Sequence, residues 1–177
     1  MFKKIYFLLA IVLAPVLLMG QSKVVQNFYN KYKNYEDTEE IELKGWVLKL
    51  AAKFTDEENG EHLLSRITRL RTLTMQNGSL VSGSEYQRLV KAVHKDRFED
   101  LMNFKDADDN IQIMIRESGE TITDVLVLIS GSENFTLLSL EGRLKFSDIN
   151  DLHIDLDGAE HFEKVPERKA NKPSPRA

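Results

Sequence analysis

The chain has 177 residues, 29% of them charged, a formal charge of −4 at neutral pH and no cysteine. The missing thiol excludes disulfides, thiolate nucleophiles, cysteine-ligated metals and lipid attachment at an N-terminal cysteine. The acidic balance speaks against nucleic-acid binding, which needs clustered Lys and Arg, and the length suits one domain able to bury a core of its own.

At the start, Lys3 and Lys4 precede an uncharged apolar run, Ile5 to Met19, that ends in small and polar residues. This is the layout of a secretory signal peptide. The run carries Pro15 and falls short of the about 20 apolar residues of a spanning helix, so cleavage is favoured over retention as an anchor. Residues 1–20 read as the signal, with cleavage after Gly20 and cleavage after Ser22 both fitting the pattern. Removing them takes away two lysines and no acid, which brings the formal charge from −4 to −6. The expected product is soluble, exported to the periplasm or beyond, not lipidated, and without a stable membrane anchor.

Residues 23–157 read as a single α+β domain. Val24, Val25, Phe28, Tyr29 and Tyr32 recur at helical spacing over Lys23 to Lys33. Ile41 and Leu43 alternate with Glu40, Glu42 and Lys44, which predicts a short strand, and Trp46, Val47, Leu50, Ala51 and Phe54 return to the helical period after Gly45. A short helix around Glu61 to Ile67 leads into the strand "RLRTLTMQ", and Tyr86, Leu89, Val90 and Val93 form one face of a further helix, with Ser84 as its N-cap and Gln87 completing a capping box. From Phe98 onward the period becomes extended. "FEDLMNFKD", "NIQIMIRE", "TITDVLVLIS" and "NFTLLSLEG" are joined by short turn-rich links, so they form an antiparallel four-strand meander. "DVLVLI" is apolar at both alternating sets, the mark of a central strand covered on both sides. "FSDINDL" reads as a last short helix capped by Ser147. The expected fold is an antiparallel sheet with helices packed on one face, its second face left for tail segments, a partner or another copy to cover.

Residues 158–177 hold Pro166, Pro173 and Pro175 among Lys164, Arg168, Lys169, Lys172 and Arg176, and read as a disordered basic tail. This cluster and the acidic one at Glu36, Asp37, Glu39, Glu40 and Glu42 both read as solvated surface.

No phosphate loop, dinucleotide fingerprint, zinc-protease helix or nucleophile elbow occurs, so no cofactor is expected. His94-Lys95-Asp96 is the polar end of a helix, and "DADDN" is a turn, since Ile111 stands where a calcium loop needs glycine. In "HIDLDGAEH", His153, Asp155 and Asp157 would share one face of an extended segment, with His161 near after the Gly158 bend. Imidazole and carboxylates of this kind suit zinc or manganese. The competing and favoured reading is an ordinary exposed polar face.

The series "NFYNKYKN", "IELKGWVLKLAAKF", "ITRLRTLTM", "EYQRLVKAVHKDRFEDLM" and the pair "DVLVLIS" to "LLSLEG" resembles the family catalogued as domain of unknown function 4252, found in exported proteins of the Bacteroidota, over about residues 23–155. The resemblance implies a periplasmic or outer-envelope α+β protein with no assigned enzyme activity. Family genes often lie near sigma and anti-sigma factor genes, which implies envelope signalling. Many members look like lipoproteins, whereas Gln21 stands here in place of the lipid-bearing cysteine. No catalytic residue is carried over.

Three classes of function follow. A non-catalytic interaction module, docking an envelope protein or a second copy of itself, agrees best with the absence of a catalytic constellation. A metal-dependent hydrolase built on His153, Asp155 and Asp157 is the alternative, and a small-ligand carrier lies between the two. A flat apolar patch favours the module, and a polar pocket the enzyme.

Overall fold

The computed structural model of the protein describes residues 22–54, 58–76, 80–105 and 109–150. In chain order these form α1 (Lys23–Tyr32), β1 (Thr38–Lys44), α2 (Gly45–Ala52), α3 (Glu58–Arg66), β2 (Ile67–Met75), α4 (Gly83–Lys95), β3 (Glu99–Lys105), β4 (Asn110–Ser118), β5 (Thr121–Ser130), β6 (Phe135–Leu144) and α5 (Phe146–Asn150). The fold is α+β, as expected, around one antiparallel sheet of six strands. The signal segment, the His153, Asp155 and Asp157 cluster and the basic tail lie outside the described residues.

The meander predicted from Phe98 onward is present as β3, β4, β5 and β6, each antiparallel to the next. Its turns explain themselves locally: Gly119 supplies the φ of 65° that a two-residue hairpin needs between Ser118 and Thr121. Strand order was not legible in the sequence. The order is β1-β2-β6-β5-β4-β3, so β2 docks on the last strand of the meander, and the connection through α4 carries the chain to the opposite edge.

In β5, Leu126 and Leu128 join one apolar cluster and Val125 and Val127 another, because successive side chains leave a strand on opposite faces. Val25, Phe28, Tyr29 and Tyr32 of α1 and Leu89 and Val93 of α4 pack into the first cluster. Leu48 of α2 and Leu63 of α3 pack into the second. The expectation of helices on a single face is thereby corrected: they divide between both faces, since a strand that is apolar on each side needs a cover on each.

Two caps differ from the sequence reading. Helix α4 starts two residues earlier than Ser84 implies, with Ser82 accepting from the Glu85 amide at 3.3 Å. Ser82 and Glu85 have capping-box spacing too, but the Glu85 carboxylate turns to Lys31 of α1 and ties the two helices together. Ser147 lies inside α5, where the Asp148 carboxylate accepts from the Lys145 amide at 2.8 Å and binds Arg66 at 2.6 Å. An acid that meets both a helix start and an arginine outcompetes a serine hydroxyl.

The far end of α4 closes with Arg97 in the left-handed region, φ 67°, while the Arg97 and Phe98 amides donate to the His94 and Val93 carbonyls. This is a Schellman ending with arginine where glycine is usual. Left-handed backbone costs a residue with a Cβ about 1–2 kcal/mol, partly offset by the freedom glycine gains when unfolded. Arg97→Gly is therefore expected to stabilise the fold by about 0.5–1 kcal/mol, seen as a rise of a few degrees in a thermal melt.

Candidate functional site

Two features stand apart from the ordinary core, a buried charged belt on one face of the sheet and an exposed apolar helix on the other.

The belt grows from alternation. Arg71, Glu141, Asp124 and Arg116 sit on neighbouring strands on the face that carries α1 and α4, beyond the apolar rows of Leu73, Leu137, Leu126 and Met114. Arg116 meets Asp124 Oδ2 with Nε at 2.9 Å and Nη2 at 2.8 Å, and Asp96 at the end of α4 at 3.4 Å. Arg71 reaches Glu141 at 3.3 Å and Glu42 at 3.4 Å, and Glu42 also meets Arg69 at 3.5 Å. The two buried guanidinium groups lie over aromatic rings, Arg71 over Tyr29 at 5.4 Å and Arg116 over Phe98 at 5.3 Å. Tyr29 donates to Glu40 at 2.8 Å, and burial together with that bond pushes its hydroxyl pKa well up.

These charges are paired within the belt, although the buried Arg71 Nε, 3.4 Å from Glu42, makes no hydrogen bond. Burial raises the pKa of Glu141, and the attraction of Arg69 and Arg71 offsets only part of that. Folded Glu141 therefore keeps its proton to higher pH than the unfolded chain does. Its contribution to stability is full below the ordinary glutamate range and declines as pH rises through the raised value. Glu141→Gln should flatten that decline, which thermal midpoints taken from about pH 4 to about pH 7 will show.

His94 Nε2 lies 3.1 Å from Asp100 Oδ1, and Asp100 also accepts from Gln112 at 2.6 Å. This pair clips β3 to the end of α4, in keeping with the reading of His94-Lys95-Asp96 as a polar helix end. Among the described residues no group of three or more His, Asp or Glu side chains is placed to hold a metal ion.

Helix α2 is the other feature. It spans eight residues and has no side-chain N-cap, so it owes its stability to packing. Leu48 and Ala52, one turn apart, are its buried side. Its start is pressed to the sheet at Gly45, where a Cβ would lie 2.9 Å from the Thr68 carbonyl oxygen. The residues that carried the helical period in the sequence are the ones left outside: Trp46 is 68% exposed, Leu50 50% and Phe54 80%. Trp46 and Leu50, four residues apart, form a stripe on the side of α2 opposite Leu48 and Ala52, and Phe54 follows two residues past the helix end. Ile41, on the same sheet face as Leu43, is a further exposed apolar side chain nearby. A helix apolar on two opposite sides is normally buried on both, and here one of them is open to solvent.

Lys49 and Lys53 border the stripe, both exposed, and neither makes an ion pair among the described residues, whereas Lys44, in step with Glu40 and Glu42 along β1, faces the other way. The acids of β1 do not answer them. Glu40 and Glu42 point to the opposite face, toward Tyr29 and the arginines, and Glu39 accepts from Gln76 at 2.8 Å.

A family model described as Domain of unknown function (DUF4252) matches residues 32–152, which span β1 to α5 and include both the belt and the stripe. The chain belongs to the DUF4252 family. No curated protein and no solved structure matches it. This DUF4252 domain has no helix among its described residues that is long and apolar enough to cross a membrane. The sequence had signalled its site only indirectly: "GWVLKLAA" is apolar on both sides of a helix, and only one side can lie against a sheet.

Proposed function

We propose that this DUF4252 protein is an exported, non-catalytic docking module of the cell envelope, with the outer face of α2 as its working surface. The observation that carries the reading is the exposure of Trp46 and Leu50 on the outer side of α2, with Phe54 exposed just past its end. Solvation of that much apolar surface is unfavourable, and its burial against a partner is the gain that docking supplies. Export is supported by the N-terminal layout of Lys3, Lys4 and the apolar run that follows. Ser22 accepts from the Val25 amide at 3.2 Å as the cap of α1, so cleavage after Gly20, which keeps that cap, fits the fold better than cleavage after Ser22. A part in envelope signalling is consistent with such a module, which would transmit the presence of its partner rather than transform a substrate.

The test is photo-crosslinking in living cells from a benzophenone side chain placed at position 50. Crosslinked products are expected, and they should disappear when Trp46 and Phe54 are both changed to serine, with the thermal midpoint preserved. Crosslinks that persist unchanged in the serine variant, or none from position 50 at all, would place the working surface elsewhere.

A further inference from the structure

We infer that residues 151–157, which follow α5, lie as a strap across β4 and β5 and complete the cover of the second sheet face. This goes beyond the docking reading and concerns the half of that face which α2 and α3 do not reach.

Burial on this face has two separate centres. Helices α2 and α3 lie over one side of the sheet, closest to β1, β2 and β6, while α1 and α4 occupy the other face. Met102, Ile113, Val127 and Leu138 form one row across β3, β4, β5 and β6, all within the second apolar cluster. A cover supplied by α2 and α3 alone would bury Leu138 of β6 best and lose its hold on the strands beyond. The order is reversed: Leu138 is only partly buried, whereas Val127 is 1% exposed and Ile113 9%. Ile111, Ile115 and Val125 on the same two strands are buried as well, and exposure returns at Met102 and Phe104 of β3, the edge of the sheet. Side chains standing beside one another on a sheet stay open from above, so burial of this depth needs atoms stacked on the face. It is a property of the single chain, which decides against a second copy or another protein as the cover.

The residues that come next fit the gap in place, pattern and length. Phe146 of α5 packs into the same cluster, and Asp148 binds Arg66 at the end of α3, so the chain leaves α5 on this face, near the paired Ile122 and Leu144. From there Leu152, Ile154 and Leu156 alternate with His153, Asp155 and Asp157, the pattern of an extended segment with one side on an apolar surface. Alternate residues of such a segment are about 6.6 Å apart, the pitch at which Val125, Val127 and Ile129 follow one another along β5. Seven extended residues span about 23 Å, which is the reach from Ile122 to Ile129. The other candidates fit less well. The signal segment leads into α1 on the opposite face, and the three-residue links at 55–57, 77–79 and 106–108 are too short to run along two strands.

The chain has no cysteine, so a thiol introduced on the strap is the only one present. Ile154→Cys and Asp155→Cys, each in the protein purified with the N-terminus that its cells leave on it, are compared by their rates of reaction with dithionitrobenzoate. In the native protein Ile154→Cys is expected to react about tenfold more slowly than Asp155→Cys, and the two rates should converge in urea. Two shortened chains give a second readout. A chain ending at Asn150 is expected to bind the apolar dye anilinonaphthalene sulfonate and to melt earlier than the parent, whereas one ending at Gly158 keeps the parent's behaviour. Equal native rates at positions 154 and 155 would overturn the inference, as would a chain ending at Asn150 that matches the one ending at Gly158. Protection at position 154 that disappears on dilution would give the strap to a second copy and overturn it too. If the chain ending at Asn150 does not fold, the two thiol rates decide alone. Crosslinks from position 50 report on α2 and not on the strap, so the docking reading stands or falls separately.

Discussion

Asp124→Leu is expected to destabilise the domain by about 3–5 kcal/mol, a large share of the roughly 5–15 kcal/mol that holds a domain folded. Asp124 and its partner Arg116 have side chains only 6% and 9% exposed, and two nitrogens of Arg116 converge on one oxygen of Asp124 within 2.9 Å. The leucine takes from a buried guanidinium its closest acid, while Asp96 is 3.4 Å away and partly in solvent. Most of the cost is therefore desolvation without compensation rather than the worth of the pair itself. Arg116→Met combined with Asp124→Leu should recover much of the loss, since apolar groups of similar size need no partner. Urea denaturation of the two variants beside the parent checks this, and a single-variant loss below about 1 kcal/mol would mean that the belt is solvated in solution.

The second large effect separates the core from the surface through two leucines. Leu126 lies at the middle of β5, opposite Met114 of β4 and Ser139 of β6, with none of its surface exposed. Leu126→Ala removes three carbons from a site that neighbouring strands hold open, and should cost about 2–5 kcal/mol. Leu50 is half in solvent on α2, so Leu50→Ala should stay within about 0.5 kcal/mol of the parent. Denaturant midpoints of the two variants make the comparison. If Leu50→Ala were as damaging as Leu126→Ala, the stripe would be part of the core and could not serve as a docking surface.

Local pattern made much of this fold legible. Alternation in "NIQIMIRE" and "TITDVLVLIS", broken by short turn-rich links, determined an antiparallel meander, because such links leave no room for a crossover. The aromatic spacing of Phe28, Tyr29 and Tyr32 determined α1 and the face it buries. The second helical layer was hidden. Its helices α2 and α3 do not announce which side faces inward, and α2 in particular is apolar on both. The period of Trp46 and Leu50 is helical and α2 forms there, ending before Phe54, yet a period says only that side chains share a face, and not whether that face meets protein or solvent.

The belt was out of reach for a different reason. Arg71, Arg116, Asp124 and Glu141 are scattered over 70 positions and look in sequence like any charged residues on strands. They become one network only when β2 docks on β6 and β5 lies between β6 and β4, a pairing set by long-range packing.

By itself the sequence determined the class of the fold, the meander, the absence of thiol chemistry and the membership that residues 32–152 confirm. Each of these follows from residue type or from spacing along the chain. Tertiary structure alone decided the order of the strands, the division of helices between two faces and the exposure of α2. The physical reason is that burial is a property of what lies opposite a side chain: Leu48 and Leu50 are the same residue two positions apart, and only the sheet beneath α2 makes one of them core and the other surface.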